Sequence, residues 1–271
     1  MKIIIKSLIA VGSILVGWIV LSALLAGQSS NIVFKNEVSW SKDNKLTEDP
    51  VYIQNSDGNR IQIISNQNLN SFKYNSTDES EYILYLHGNA GRLDNIVTGF
   101  GNNPNIVMIS PAYPGYHESE GSPSVENVYK TALDTYDYMV KSIGIPENKI
   151  TIFGHSLGGS TATYLAAQKP NAKRLVIANT FSSIQSLCWK QYSIFCAFTG
   201  GIFNSAKNAE SVTIPVFQFH YKGDKTVPFD EGKTLHTYFK SAKDKKFVEL
   251  TGATHSILDF DTIFSELKIN R

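Results

Sequence analysis

The chain has 271 residues, of which 42% are hydrophobic and 18% charged, with a formal net charge of +1. That is apolar material for one sizeable core, and the near balance of charge, without a long basic run, removes nucleic acid from the partner classes. The two cysteines fit neither a nucleophile nor a metal-ligand pattern.

The first element is apolar. Residues 7–26 (SLIAVGSILVGWIVLSALLA) carry no charge over 20 positions, and at ~1.5 Å rise per residue such a helix crosses a ~30 Å hydrocarbon layer. Lys2 and Lys6 precede it and no basic residue lies in 28–34. The positive-inside bias therefore predicts a cytoplasmic N-terminus and an extracytoplasmic remainder. A cleaved secretory signal is the competing reading. The run, however, exceeds the usual ~7 to 15 residues of a signal core, and Leu24 suits a cut at Ala26 or Gly27 poorly. Residues 1–27 are thus expected to be a retained signal anchor, a single transmembrane helix, followed by a polar tether over 28–50.

From residue 51 onward the pattern is that of one catalytic domain, 51–271. Residues 51–53 and 60–65 flank an SDGN turn and predict a hairpin at an antiparallel sheet edge. Residues 82–86 (YILYL) read as a buried strand running into HGNAG. Residues 126–139 have helical spacing, closed by Gly144 and Pro146. A strand at 149–153 then meets GHSLGG and the helix-like 160–168. Residues 181–211 form a short lid rich in large apolar groups, among them Leu187, Trp189, Tyr192, Ile202 and Phe203. Its side chains line an acyl pocket or pack onto the domain; helical spacing does not separate the two. Cys188 and Cys196 both fall here. Eight residues of continuous helix rise ~12 Å, beyond the ~7 Å Cα limit of a bridge, so a bond between them requires a break in the helix.

The chemistry is concentrated at Gly154-His155-Ser156-Leu157-Gly158-Gly159. A strand, this G-x-S-x-G, then a helix is the context of a nucleophile elbow, in which side chains two positions either side of the serine would collide. A serine hydroxyl needs a histidine base and a carboxylate to orient that base. Three histidines follow Ser156. His220 reads as a strand-end side chain and His236 as a surface helix residue, whereas His255 lies in a loop after the last strand (246–250), where a base can reach back over the sheet edge. Asp224, in the turn YKGDKTVP after strand 216–219, is the matching acid. Asp230 reads instead as the cap of the helix that follows. Oxyanion donors are expected from the backbone N–H of Leu157 and of Asn89, with Ala90 as fallback, while His87 is read as holding that loop.

Taken in order, HGNAG, PGYHESEGSPS, GHSLGG, NTFSS, GDKTVP and GATHS resemble the serine α/β-hydrolases of the monoacylglycerol-lipase and serine-aminopeptidase type, most of all their small membrane-anchored members. The resemblance covers about residues 51–266. It implies an α/β-hydrolase fold, a doubly wound and mostly parallel sheet, and carries Ser156, Asp224 and His255 over as the triad, with Asn89 and Leu157 as oxyanion donors and no metal or organic cofactor. The implied partner is a small-molecule or lipid acyl substrate, cleaved as an ester or thioester. One departure stands out: where many relatives have Asp-Tyr-Arg-Gly, this chain has SPAYPGY at 110–116. A peptidase of this fold would need a larger cap with acidic groups, and the cap here offers only Glu210. An acyltransferase shares the acyl-enzyme, and a non-catalytic tethered binding module would need a lost triad position.

Overall fold

In the computed structural model, the described residues are Phe34 and 51–269, apart from 78, 90–98, 102, 104, 193–201 and 253. Among them no helix is long and apolar enough to cross a membrane; the expected anchor over 1–27 lies outside the described residues.

Eight strands form one sheet: β1 (Val51–Gln54), β2 (Arg60–Ser65), β3 (Glu81–Leu86), β4 (Ile106–Pro111), β5 (Ile150–His155), β6 (Arg174–Ala178), β7 (Val216–Tyr221) and β8 (Lys245–Leu250). Their spatial order is β1-β2-β4-β3-β5-β6-β7-β8. The predicted hairpin is the antiparallel pair β1 and β2 at one edge, and β2 meets β4 antiparallel; every other pairing is parallel. Parallel strands are covered on both faces and so read as continuous apolar runs. β3 and β5 are buried at every position.

Alternate residues of these strands feed two cores. Tyr82, Leu84, Leu86, Ile150 and Ile152 face one side. That side is closed by α1 (Val125–Lys141), α2 (Leu157–Gln168), α4 (Ser205–Ala209) and α5 (Phe229–Tyr238), with α3 (Ile184–Tyr192) in the lid. Ile83, Tyr85, Phe153, Val176 and Phe219 face the other, closed by Phe100 and α6 (Phe260–Leu267). The structure therefore has the doubly wound α/β-hydrolase architecture.

Two details differ from the sequence reading. The tether was expected to lack core-forming pattern, yet Phe34 is 2% exposed and packs edge-on against Phe203 at 5.9 Å. Phe203 itself is fully buried, which for this lid residue decides between the two roles that helical spacing left open: it packs onto the domain. Asp230 does not cap α5: Pro228, with φ −53° and ψ 139°, holds that place, and Asp230 falls in the first turn, where the helix dipole favours a carboxylate.

The second core contains an unpaid polar group. Tyr85 is fully buried against Phe153 and Phe100, and its hydroxyl has no hydrogen-bond partner among the described residues. Removing an unsatisfied buried hydroxyl while keeping the ring is worth about 1 kcal/mol. Tyr85→Phe is expected to raise the unfolding free energy by that amount in urea titration; a loss of stability would contradict the packing described.

Candidate active site

The parallel register decides which loops meet. Leu86 of β3 lies opposite Gly154 of β5, His155 opposite Ala178 of β6, and Tyr221 of β7 opposite Leu250 of β8. The segments leaving these strands, at 87–89, 156, 179–182, 222–227 and 251–255, therefore crowd one rim, the carboxyl edge where open α/β sheets gather their functional groups.

Ser156 sits at a tight turn on that rim, between β5 and α2, with φ 54° and ψ −120°. A non-glycine residue held there stores roughly 1–3 kcal/mol of strain, and surrounding packing must impose it. α2 comes so close to the sheet that a Cβ at Gly154 would run into the Gly158 carbonyl, one at Gly158 into the Leu86 carbonyl, and one at Gly159 into the Thr180 hydroxyl. The glycines flanking the serine are thus demanded by the turn, as the motif suggests. Leu157 opens α2, so its N–H belongs to the first-turn donors that no helical carbonyl satisfies.

Of the three downstream histidines, His255 alone reaches Ser156. Its Nε2 is 2.9 Å from Ser156 Oγ and its Nδ1 is 2.7 Å from Asp224 Oδ2. Asp224 is buried, and its second oxygen accepts backbone N–H bonds from Thr226 at 2.8 Å and Val227 at 2.9 Å. Burial pushes this carboxyl up, but the hydrogen bond and charge of His255 and the two amides outweigh it, leaving it below its ordinary value. His220, fully buried, donates to the Val227 carbonyl at 3.0 Å and so braces the acid turn from below. His236 lies on α5 beside Phe247 and Gln218.

The loop after β3 is built around His87. Its Nδ1 donates to Gly88 O at 2.8 Å, and its Nε2 accepts the Tyr113 N–H at 3.3 Å. Because C=O and N–H point in opposite directions across a trans peptide, holding the Gly88 carbonyl toward His87 turns the Asn89 N–H away from it. The Asn89 side chain is fixed in turn by the Tyr116 hydroxyl, 2.9 Å from Oδ1. Tyr113 and Tyr116 both belong to SPAYPGY, and this segment supports the loop with a backbone bond, a hydroxyl and rings packed tilted against His87 at centroid distances of 3.9 and 5.3 Å. Ala90, the fallback donor, lies outside the described residues.

Several participants escaped the sequence reading. Glu231, fully buried in α5, accepts from the Ser182 N–H and hydroxyl and from the Ser186 hydroxyl, tying the lid's first stem to the domain. The Ala206 N–H donates to Ser182 O at 2.8 Å and closes the second stem onto the first. Cys188 is disulfide-bonded, and α3 ends at Tyr192; Cys196, the chain's other cysteine, lies outside the described residues. Among the described residues no group of three or more His, Cys, Asp or Glu side chains is arranged to hold a metal ion.

Comparison with known proteins bears on the same region. The profile of the phospholipase/carboxylesterase family matches residues 115–261. The chain is 24% identical over 187 residues to the alpha/beta hydrolase domain-containing protein aho-3 of Caenorhabditis elegans, covering 68% of this chain and 55% of that protein. It is 28% identical over 190 residues to the lysophosphatidylserine lipase ABHD12 of Danio rerio, covering 59% and 48%. It thus spans about half the length of these two relatives. Among solved structures, Est1E from Butyrivibrio proteoclasticus with bound ferulic acid superposes with a TM-score of 0.63 at 16% identity, covering 80% of this chain and 95% of that one, a likeness of fold.

The buried histidines make stability pH-dependent. Burial holds His87 and His155 down to about 3, against ~6.5 for a free imidazole. Below pH 6.5 the unfolded chain binds protons that the folded chain refuses, so stability is full above that value and falls as pH drops toward 3. Urea unfolding is expected to show a loss of about 2 kcal/mol per histidine between pH 7 and pH 5. A stability unchanged over that interval would contradict their neutral burial.

Proposed function

The chain belongs to the phospholipase/carboxylesterase family, and from that premise we propose that it hydrolyses carboxylic esters or thioesters of acyl or lipid type through an acyl-Ser156 intermediate. The observation that carries the reading is the unbroken hydrogen-bond series from Ser156 Oγ to His255 Nε2 and from His255 Nδ1 to Asp224.

In this mechanism His255 Nε2 removes the hydroxyl proton as Ser156 Oγ attacks the substrate carbonyl carbon. The carbonyl π pair moves onto oxygen, and the oxyanion is met by the N–H groups of Leu157 and Asn89, preorganised and needing no reorientation. The imidazolium, held by the ionised Asp224, returns its proton to the leaving alcohol or thiol as the C–O or C–S bond breaks. Water then enters, loses a proton to His255 Nε2, and attacks the acyl-serine; the proton passes back to Ser156 Oγ as the acid leaves. Each step balances with water as the sole co-reactant.

The substrate class is supported by the lipase name of a relative and by the apolar lid residues Leu187 and Ile202, which stand half-buried on the domain core. The apolar segment 7–26 would tether the domain, 51–271, on the extracytoplasmic side of a membrane, close to such substrates.

Ser156→Ala is expected to lower kcat/KM toward a short acyl ester by about 10^3-fold or more, and Asp224→Asn by roughly 10^4 in kcat while the protein stays folded. Steady-state hydrolysis at pH 7 to 8 measures both; wild-type rates in either variant would overturn the mechanism.

A further inference from the structure

His255 stands on weak footing. Its loop has no regular secondary structure, and Thr251, Gly252, Ser256 and Ile257 around it are exposed, Ile257 to 70%. Segments of this kind open and close at low cost. Its imidazole nonetheless has to be held within about 0.5 Å of the geometry in which it passes a proton between two oxygens.

The loop is pinned at three places. The Gly223 N–H donates to Gly252 O at 3.1 Å, and the Asp259 N–H donates to the Tyr221 hydroxyl at 2.9 Å. Between these points the His255 carbonyl accepts two bonds, from His155 Nε2 at 2.7 Å and from Asn179 Nδ2 at 3.2 Å. Both donors are buried and rigidly based. His155 is the last residue of β5, and its Nδ1 faces the oxyanion loop: a Cβ added to Gly88 would lie 3.3 Å from it. Asn179 follows β6 in the left-handed region, φ 50°, with its N–H on Phe219 O at 3.0 Å and its Oδ1 accepting the Tyr221 N–H at 3.1 Å. Its geometry is thereby determined at three points, and the strained backbone is imposed by them.

We propose that His155 and Asn179 are positioning residues that form a two-donor cradle for the His255 carbonyl and so hold the base in register with Ser156, Asp224 and the oxyanion loop. The proposal rests on the hydrolase reading above. Burial keeps the His155 imidazole neutral; a carbonyl can only accept, so the ring's single proton sits on Nε2. A neutral donor suits the place, since a second imidazolium beside His255 would oppose the charge that His255 acquires in the transition state. The cradle also matters most at that moment. Once the Ser156 Oγ bond to His255 is exchanged for one to the leaving group, Asp224 and the backbone alone locate the ring. The effect therefore falls on kcat rather than on KM.

The test compares His155→Phe, which keeps the ring and removes the donor, with His155→Gln, whose amide Nε2 can restore it. Against a short acyl ester, His155→Phe is expected to lose 10- to 100-fold in kcat, in keeping with a base displaced by about 1 Å, with KM within about twofold. His155→Gln is expected within about fivefold of wild type. Amide hydrogen exchange over residues 251–259 should quicken in the Phe variant and return to the wild-type rate in the Gln variant. If His155→Phe does not fold, Asn179→Gly removes the other donor at a φ that glycine accepts and is read in the same way. A Phe variant with kcat within twofold of wild type and unchanged exchange overturns the cradle, as does a Gln variant no better than Phe. Should the wild type hydrolyse no ester, the hydrolase reading falls, and exchange in the loop still decides the cradle: quickened by Phe, it stands; unchanged, it fails.

Discussion

The close approach of α2 to the sheet is the constraint on which the site depends. Gly154, Gly158 and Gly159 leave no space for a Cβ between that helix, β3 and the Thr180 side chain, and at this separation Ser156 has to take a backbone conformation it would otherwise avoid. The strain is stabilised by burial on both faces of the sheet, and its consequence is chemical. It lifts a hydroxyl above the carboxyl edge, at the start of a helix whose first N–H groups point the same way. The residues on β3 and β5 that pack the two cores are therefore also the ones that aim the serine.

Polar groups beneath the rim follow one pattern. His87, His155 and His220 are all buried and held below the ordinary imidazole value, in each case first by burial. Each donates to a main-chain carbonyl in a different loop: Gly88, His255 and Val227. A neutral imidazole is well suited to this, being a rigid donor that brings no charge into a low-dielectric interior. The loops that would carry the proposed chemistry are thus tied to strand ends, while the lid is tied separately through Glu231 to α5.

Much of this was legible in the chain. The elbow shows itself through glycines whose spacing has a steric cause, and Asp224 and His255 through their places after strands, because parallel strands deliver their ends to one edge whatever lies between them. The supporting contacts were not legible. His155 touches His255 across 100 residues and Asn179 across 76, and nothing in spacing or periodicity relates them; the residue before the serine of a G-x-S-x-G looks free to vary. Tyr116 was visible only as part of a segment, SPAYPGY, that departs from an arginine motif, and its bond to Asn89 depends on how two loops fold over each other. Phe34 misleads for a different reason: an apolar side chain in a polar tether buries itself wherever a groove is open, and composition does not register the groove.

The central claim is that Ser156 is the activated nucleophile. A fluorophosphonate reacts with a serine only where a base withdraws its proton and an oxyanion site receives the phosphoryl oxygen. Intact-mass analysis of the treated protein, followed by peptide mapping, is predicted to find one phosphonyl group, on the peptide containing Ser156. A protein left unmodified, or modified at another residue with Ser156 bare, would contradict the account.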